Sequence, residues 1–130
     1  MARGPTVSVI MPVRNSRQYV EKAVKSILGQ SYSSFELIIM DDQSEDGTSE
    51  LLRKLANSDS RIIVIRNQQW QGVTRSLNIG LSRARGHFIA RQDADDWSVA
   101  GRFESQLAYL QGYPDLALAG TWVTKVDHEG

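Results

Sequence analysis

Apolar positions along this chain follow two alternating rhythms. Residues 7–13 (VSVIMPV) form a short apolar run between polar flanks and predict a buried strand. Over residues 19–30 the spacing turns helical: Val20, Ala23, Val24, Ile27 and Leu28 share a face, while Glu21, Lys22 and Lys25 lie away from it. Asn15 and Ser16 are its N-cap candidates. Residues 35–40 (FELIIM) predict a second strand, Leu51, Leu52 and Leu55 mark a helix over 48–56, and residues 62–65 (IIVI) predict a third strand. Residues 73–84 read as a helix containing Gly80, with Gly86 as its C-terminal cap. A fourth strand is expected over 87–92, then a helix over 102–111 that Gly112 and Pro114 end, then a fifth strand within 116–126.

The order βαβαβαβαβ implies an α/β fold of Rossmann-like type, with a mainly parallel sheet and helices on both faces. Continuous apolar runs in the first three strands fit strands covered on both sides. No linker, repeat or low-complexity tract divides the chain, so residues 1–130 read as one domain. In open sheets of this kind ligands bind beyond the carboxyl ends of the strands, which says where to look for chemistry.

Composition narrows the chemistry further. With 15 basic and 15 acidic residues the formal net charge is zero, against a general footprint for nucleic acid or anionic membrane. The absence of cysteine excludes disulfides, zinc–thiolate sites, iron–sulfur clusters and cysteine nucleophiles. It also suits a reducing cytoplasm. No apolar run approaches the ~20 residues that span a bilayer, so membrane association is left to segments outside these residues.

Polar residues gather where the topology puts a ligand. The first strand runs into Pro12-Val13-Arg14-Asn15, the second into Asp41-Asp42, and the fourth into Gln92-Asp93-Ala94-Asp95-Asp96-Trp97. In an extended segment residues two apart point the same way, so Asp93 and Asp95 converge and Asp96 diverges. Two carboxylates about 4 Å apart repel by roughly 4 kcal/mol at an effective dielectric near 20, which calls for a raised pKa, an arginine or a divalent cation. Oxygen-only ligands favour Mg²⁺ or Mn²⁺, which can bridge a protein to a diphosphate. The competing reading is a solvated acidic turn ahead of a helix.

Alternation sends Asp41 and Asp42 to opposite faces, so one can meet a ligand while the other holds the turn; Asp42 is expected at the ligand. Ser44, Asp46 and Gly47 look like a turn and N-cap. The segment after the first strand is either a loop with Asn15 as a cap or a site where backbone of Pro12 and Val13 frames a nucleobase. On the third helix Arg75 and Asn78 can reach a base or phosphate; otherwise Arg75 lies on a solvated face and Asn78 bonds to neighbouring backbone. Arg102 can pair with Asp96 or with phosphate, the ion pair being expected, and His87 is expected to be structural. Trp70, Trp97 and Trp122 read as packing or loop anchors rather than sugar platforms, Trp97 being nearest the acidic turn.

Taken in order, these pieces resemble the family 2 glycosyltransferases of GT-A fold. Val7-Ser8-Val9-Ile10-Met11-Pro12 with Asn15 is similar to the family's opening strand, and Asp41-Asp42-Gln43-Ser44-Glu45-Asp46-Gly47-Thr48 to its D-D-x-S-x-D-G-T element. Leu77-Asn78-Ile79-Gly80-Leu81 and Ala84-Arg85-Gly86, continuing to Asp93-Ala94-Asp95-Asp96, resemble the approach to its D-x-D motif, and Arg102-Phe103-Glu104-Ser105-Gln106 the helix after it. Ser98-Val99-Ala100-Gly101 departs from the family, which usually has a proline there.

The resemblance implies a nucleotide-diphosphate sugar donor, a UDP-sugar above all, and inverting transfer to a saccharide or lipid-linked acceptor. By position, Pro12, Val13, Asn15, Asp42, Arg75, Asp93 and Ala94 would bind the donor, and Asp95 with Asp93 would hold Mn²⁺ or Mg²⁺. It also implies that the catalytic base and acceptor site follow Gly130, so these residues are expected to be the donor-binding half. Two other readings compete. A receiver-like phosphoacceptor domain shares the size and alternation, but wants its acidic pair after the first strand. A nucleotide-binding module without catalysis would look much like half a transferase.

Overall fold

The computed structural model describes residues 4–127 and 129. Four strands and four helices alternate: β1 (Val7–Val13), α1 (Val20–Leu28), β2 (Phe35–Asp41), α2 (Thr48–Ser58), β3 (Ile62–Arg66), α3 (Val73–Arg83), β4 (Phe88–Arg91) and α4 (Arg102–Gly112). All pairings are parallel and the sheet order is β3-β2-β1-β4. β1, β2 and β3 lie side by side in sequence order, and β4 then returns to the other side of β1. The chain thus reverses direction across the sheet between β1 and β4, the place where such sheets open a ligand crevice.

Alternating residues of the central strands feed two cores. Val7, Val9, Met11 and Val13 of β1 and Phe35, Leu37 and Ile39 of β2 join Val20, Ala23, Val24 and Ile27 of α1, Leu52 of α2, and Phe103 and Leu107 of α4. Ile10, Ile38 and Met40 face the other way and pack under Leu77 and Ile79 of α3. Helices therefore cover both faces, as the apolar runs require. Burying each such side chain contributes about 1.5–3 kcal/mol, which makes β1 and β2 the mechanical centre.

Two glycines let α3 and its exit loop come close. A Cβ at Gly80 would stand 2.7 Å from Ile10 Cγ2, so the residue that interrupts the helical pattern is the one that seats the helix on the sheet. Gly86 is not the cap of α3, which ends at Arg83; a Cβ there would lie 2.5 Å from the Ser8 amide. Beside it a polar cluster built on buried Ser8 and Glu36 and exposed Arg85 holds the start of the strands. Ser8 Oγ donates to Glu36 Oε1 at 2.6 Å, and the Arg85 amide and guanidinium donate to the same carboxylate at 2.6–2.9 Å. Burial would push the Glu36 carboxyl up, but these donors outweigh it and hold it below the ordinary value.

The expected fifth strand does not form. Residues 116–127 pair with no strand among the described residues, and Leu118 and Trp122 are 86% and 102% exposed. β-prone residues make a strand only beside a ladder that takes up their backbone groups. The observed order is βαβαβαβα. Among the described residues no helix is long and apolar enough to cross a membrane.

Candidate functional site

The carboxyl ends of β1, β2 and β4 and the start of α3 frame a cleft of about 540 Å³. Pro12, Val13, Asn15, Asp42, Asp93, Ala94 and Asp95 all line it. The first two strand ends are stitched together. Asn15 adopts a positive φ of 47°, its amide donates to Ser44 Oγ at 3.0 Å, and its Oδ1 accepts from the Glu45 amide at 2.8 Å. Asn15 thus ties two loops rather than capping α1, whose N-cap is Tyr19 without a side-chain bond.

Asp41 and Asp42 divide their work as alternation predicts. Asp41, 1% exposed, accepts from the Ser44 amide at 3.1 Å and from Arg66 at 3.2 Å, and so holds the turn. Asp42 faces the cleft and accepts three bonds of 2.8 Å, from Asn67 Nδ2 and from the amides of Gln71 and Gly72. Burial would raise its pKa; the three donors and the nearby Arg14 more than offset that and keep the carboxylate ionised. A carboxylate offers about four acceptor positions, so roughly one remains for a ligand. After β2, Asp46 and Gly47 form the turn into α2, with Asp46 Oδ1 accepting from the Thr48 amide at 3.0 Å and Gly47 as N-cap.

At the end of β4 the chain turns instead of running on. The Asp96 amide donates to the Asp93 carbonyl at 3.2 Å, which brings Asp96 back beside its neighbours. Carboxylate oxygens of Asp93, Asp95 and Asp96 all lie within 4.8 Å of one another. The divergence of Asp96 expected from strand alternation is therefore corrected: the period of two holds only in extended backbone. Burial, then repulsion from Asp95 and Asp93, raises the Asp96 pKa against the pull of Arg102. Three crowded oxygen donors at a cleft rim fit a hard divalent cation.

Arg102 makes no ion pair with Asp96. Its guanidinium donates to Gln92 Oε1 and Ser98 Oγ at 2.9 Å and to the Arg91 carbonyl at 3.0 Å, bracketing both ends of the acidic turn. Arg75 lies outside the cleft, exposed on the first turn of α3, because helical phase turns its neighbour Ser76 inward. Asn78 is likewise exposed. None of the three tryptophans is core. Trp97 sits under the Lys22 ammonium, 3.3 Å from its ring centroid, Trp122 is fully exposed, and Trp70, 65% exposed, lines the cleft. Exposed His87 packs edge-on to Phe88 at 4.8 Å.

Sequence reasoning missed Asn67 and Ser76, and placed Trp70 as a packing or loop anchor without the cleft that it lines. Asn67 was within reach, because it is a polar residue just past a strand's carboxyl end, the position that drew attention to the other three strands. Its side chain links Asp42 to Ser76 at 2.8 and 3.0 Å.

Comparison with known proteins bears on this geometry. The sequence profile of Glycosyl transferase family 2 matches residues 8–130. EpsE of Bacillus subtilis (strain 168), a protein named as a glycosyltransferase, is 40% identical over all of this chain, which spans 47% of that relative's length. The structure of S. aureus TarS 1–349 in complex with UDP-GlcNAc superposes with a TM-score of 0.78 at 26% identity, over 84% of this chain and 32% of that one. Mannosyltransferase PcManGT from Pyrobaculum calidifontis, in complex with GDP-Man and Mn²⁺, gives 0.73 at 25% identity, over 88% and 34%. The chain spans about half or less of these proteins, and with the family profile matched over residues 8–130 it belongs to glycosyl transferase family 2.

Proposed function

We propose that this chain binds a nucleotide-diphosphate sugar, above all a UDP-sugar, together with Mn²⁺ or Mg²⁺, for inverting transfer of the sugar to an acceptor hydroxyl. The observation that carries the reading is that Asp42 and Asp95, from separate parts of the chain, line one cleft. Solved relatives bound to UDP-GlcNAc, and to GDP-Man with Mn²⁺, support the choice of donor and ion.

In this reading Asp95, with Asp93 and Asp96, holds the cation. Pro12, Val13 and Asn15 frame the nucleoside, and the remaining acceptor position of Asp42 takes a base imide or a ribose hydroxyl. Ala94 keeps the acidic turn pinned, since its side chain is buried. When bound, the metal would supply charge stabilisation to the departing diphosphate. Absence of cysteine suits work in the cytoplasm.

The test is calorimetric titration of the chain with UDP, GDP, CDP and dTDP, each with and without Mn²⁺. The expected result is Mn²⁺-dependent binding of UDP that disappears in Asp95→Ala. Failure of all four nucleotides to bind with Mn²⁺ present would sink the reading.

A further inference from the structure

The cleft has two chemically different ends. Its acidic end lies beyond β4, at Asp93 and Asp95, and its other end lies at the loop between β3 and α3, where Trp70 stands. β3 and β4 are three strand spacings apart, about 14 Å across the sheet. A nucleotide-diphosphate sugar is polar in the same sense: a cation grips its diphosphate, and an apolar aromatic face lies at the nucleoside end.

Trp70 is 65% exposed, yet the backbone beside it is hydrogen-bonded in place. The amides of Gln71 and Gly72, the next two residues, are both fixed on buried Asp42 at 2.8 Å. Asn67, at the start of the loop, is buried and bonded to Asp42 and Ser76. The loop is thus held at both ends, with the indole between them on the cleft wall. A large apolar ring standing in water gains by being covered, and the backbone that carries it is held before a ligand arrives. The segment after the acidic turn of β4 is largely exposed, whereas the loop that carries Trp70 is hydrogen-bonded at both ends, so the first side suits a sugar meeting an acceptor and the second suits the nucleoside.

We propose that Trp70 is the wall on which the donor's nucleobase stacks, a specificity-determining residue that sets affinity for the nucleoside end. This rests on the donor-site reading above. Asp42 then serves the base twice, through its free acceptor position and by holding the loop that aims the indole.

The experiment is titration of wild type, Trp70→Ala and Trp70→Phe with UDP and separately with inorganic pyrophosphate, both with Mn²⁺. Trp70→Ala is expected to weaken UDP by about 5- to 150-fold, the range for loss of one base–aromatic stack, and to leave pyrophosphate unchanged. Trp70→Phe is expected to keep most of the UDP affinity and to abolish the UDP-induced quenching of indole emission. Circular dichroism checks that the variants stay folded, as an exposed position allows. Unchanged UDP affinity in Trp70→Ala overturns the proposal. So does equal weakening of UDP and pyrophosphate. Wild type binding neither UDP nor pyrophosphate removes the donor site itself, a result distinct from failure of the stack alone.

Discussion

The Gly72 amide donates to Asp42 Oδ2 at 2.8 Å, so the residue that opens α3 is tied to the residue that follows β2. A carboxylate met first as a ligand candidate is also the anchor of a cleft wall.

Asp42→Ala is therefore expected to lose more than ligand contact. It leaves the buried Asn67 amide and two backbone N–H groups without their acceptor, at a cost of about 3 kcal/mol. Urea denaturation should register that loss, and UDP affinity should fall with it. Unaltered stability would mean that water replaces the carboxylate and that the loop stands without it.

Asp96→Asn separates repulsion from coordination. Removing one of three crowded charges is expected to raise the thermal midpoint in EDTA. The same variant is expected to show a smaller rise on adding Mn²⁺ than wild type. A midpoint that drops in EDTA would show that the Asp96 charge is favourably placed without a cation.

Stability at acid pH should report on Glu36. Its carboxyl is held below the ordinary glutamate value, about 4.3, so the unfolded chain binds the proton more readily. The stabilisation is complete above that ordinary value and is lost as pH falls through the lower folded value. Thermal midpoints across this acid limb should drop for wild type and drop less for Glu36→Gln, which starts lower at neutral pH because it weakens the Arg85 pair. Parallel curves would exclude Glu36 as a source of acid lability.

Gly86→Ala is expected to cost more than Gly80→Ala. The first places a methyl 2.5 Å from backbone of β1, and the second places one 2.7 Å from an isoleucine methyl that can shift. Overpacking of this kind costs about 1–3 kcal/mol, with Gly86 at or above the upper end. Chemical denaturation of the two variants gives the order directly.

Much of this arrangement was legible in the chain. Apolar runs at 7–13, 35–40 and 62–65 predicted strands, and they are β1, β2 and β3 with ends shifted by a residue at most, β1 and β2 being buried almost throughout and β3, at the sheet edge, only in part. The helical faces of α1 and α2 follow from spacing alone. Because alternation imposes a parallel sheet, and a parallel sheet puts its ligands at one edge, the acidic residues of the cleft could be named from order and position.

What the sequence by itself determined, then, is the set of elements and the edge at which chemistry collects, because hydrophobic period and strand direction are local and additive. Only the tertiary structure decided which side chains meet there. Asp96 joins Asp93 and Asp95 because a hydrogen-bonded turn breaks the strand's period, Arg75 yields to Ser76 because the seating of α3 sets its phase, and Trp70 reaches the cleft because Asp42 holds its loop. The segment 116–126 stays unpaired for the same reason: a strand depends on its neighbour, which composition does not supply.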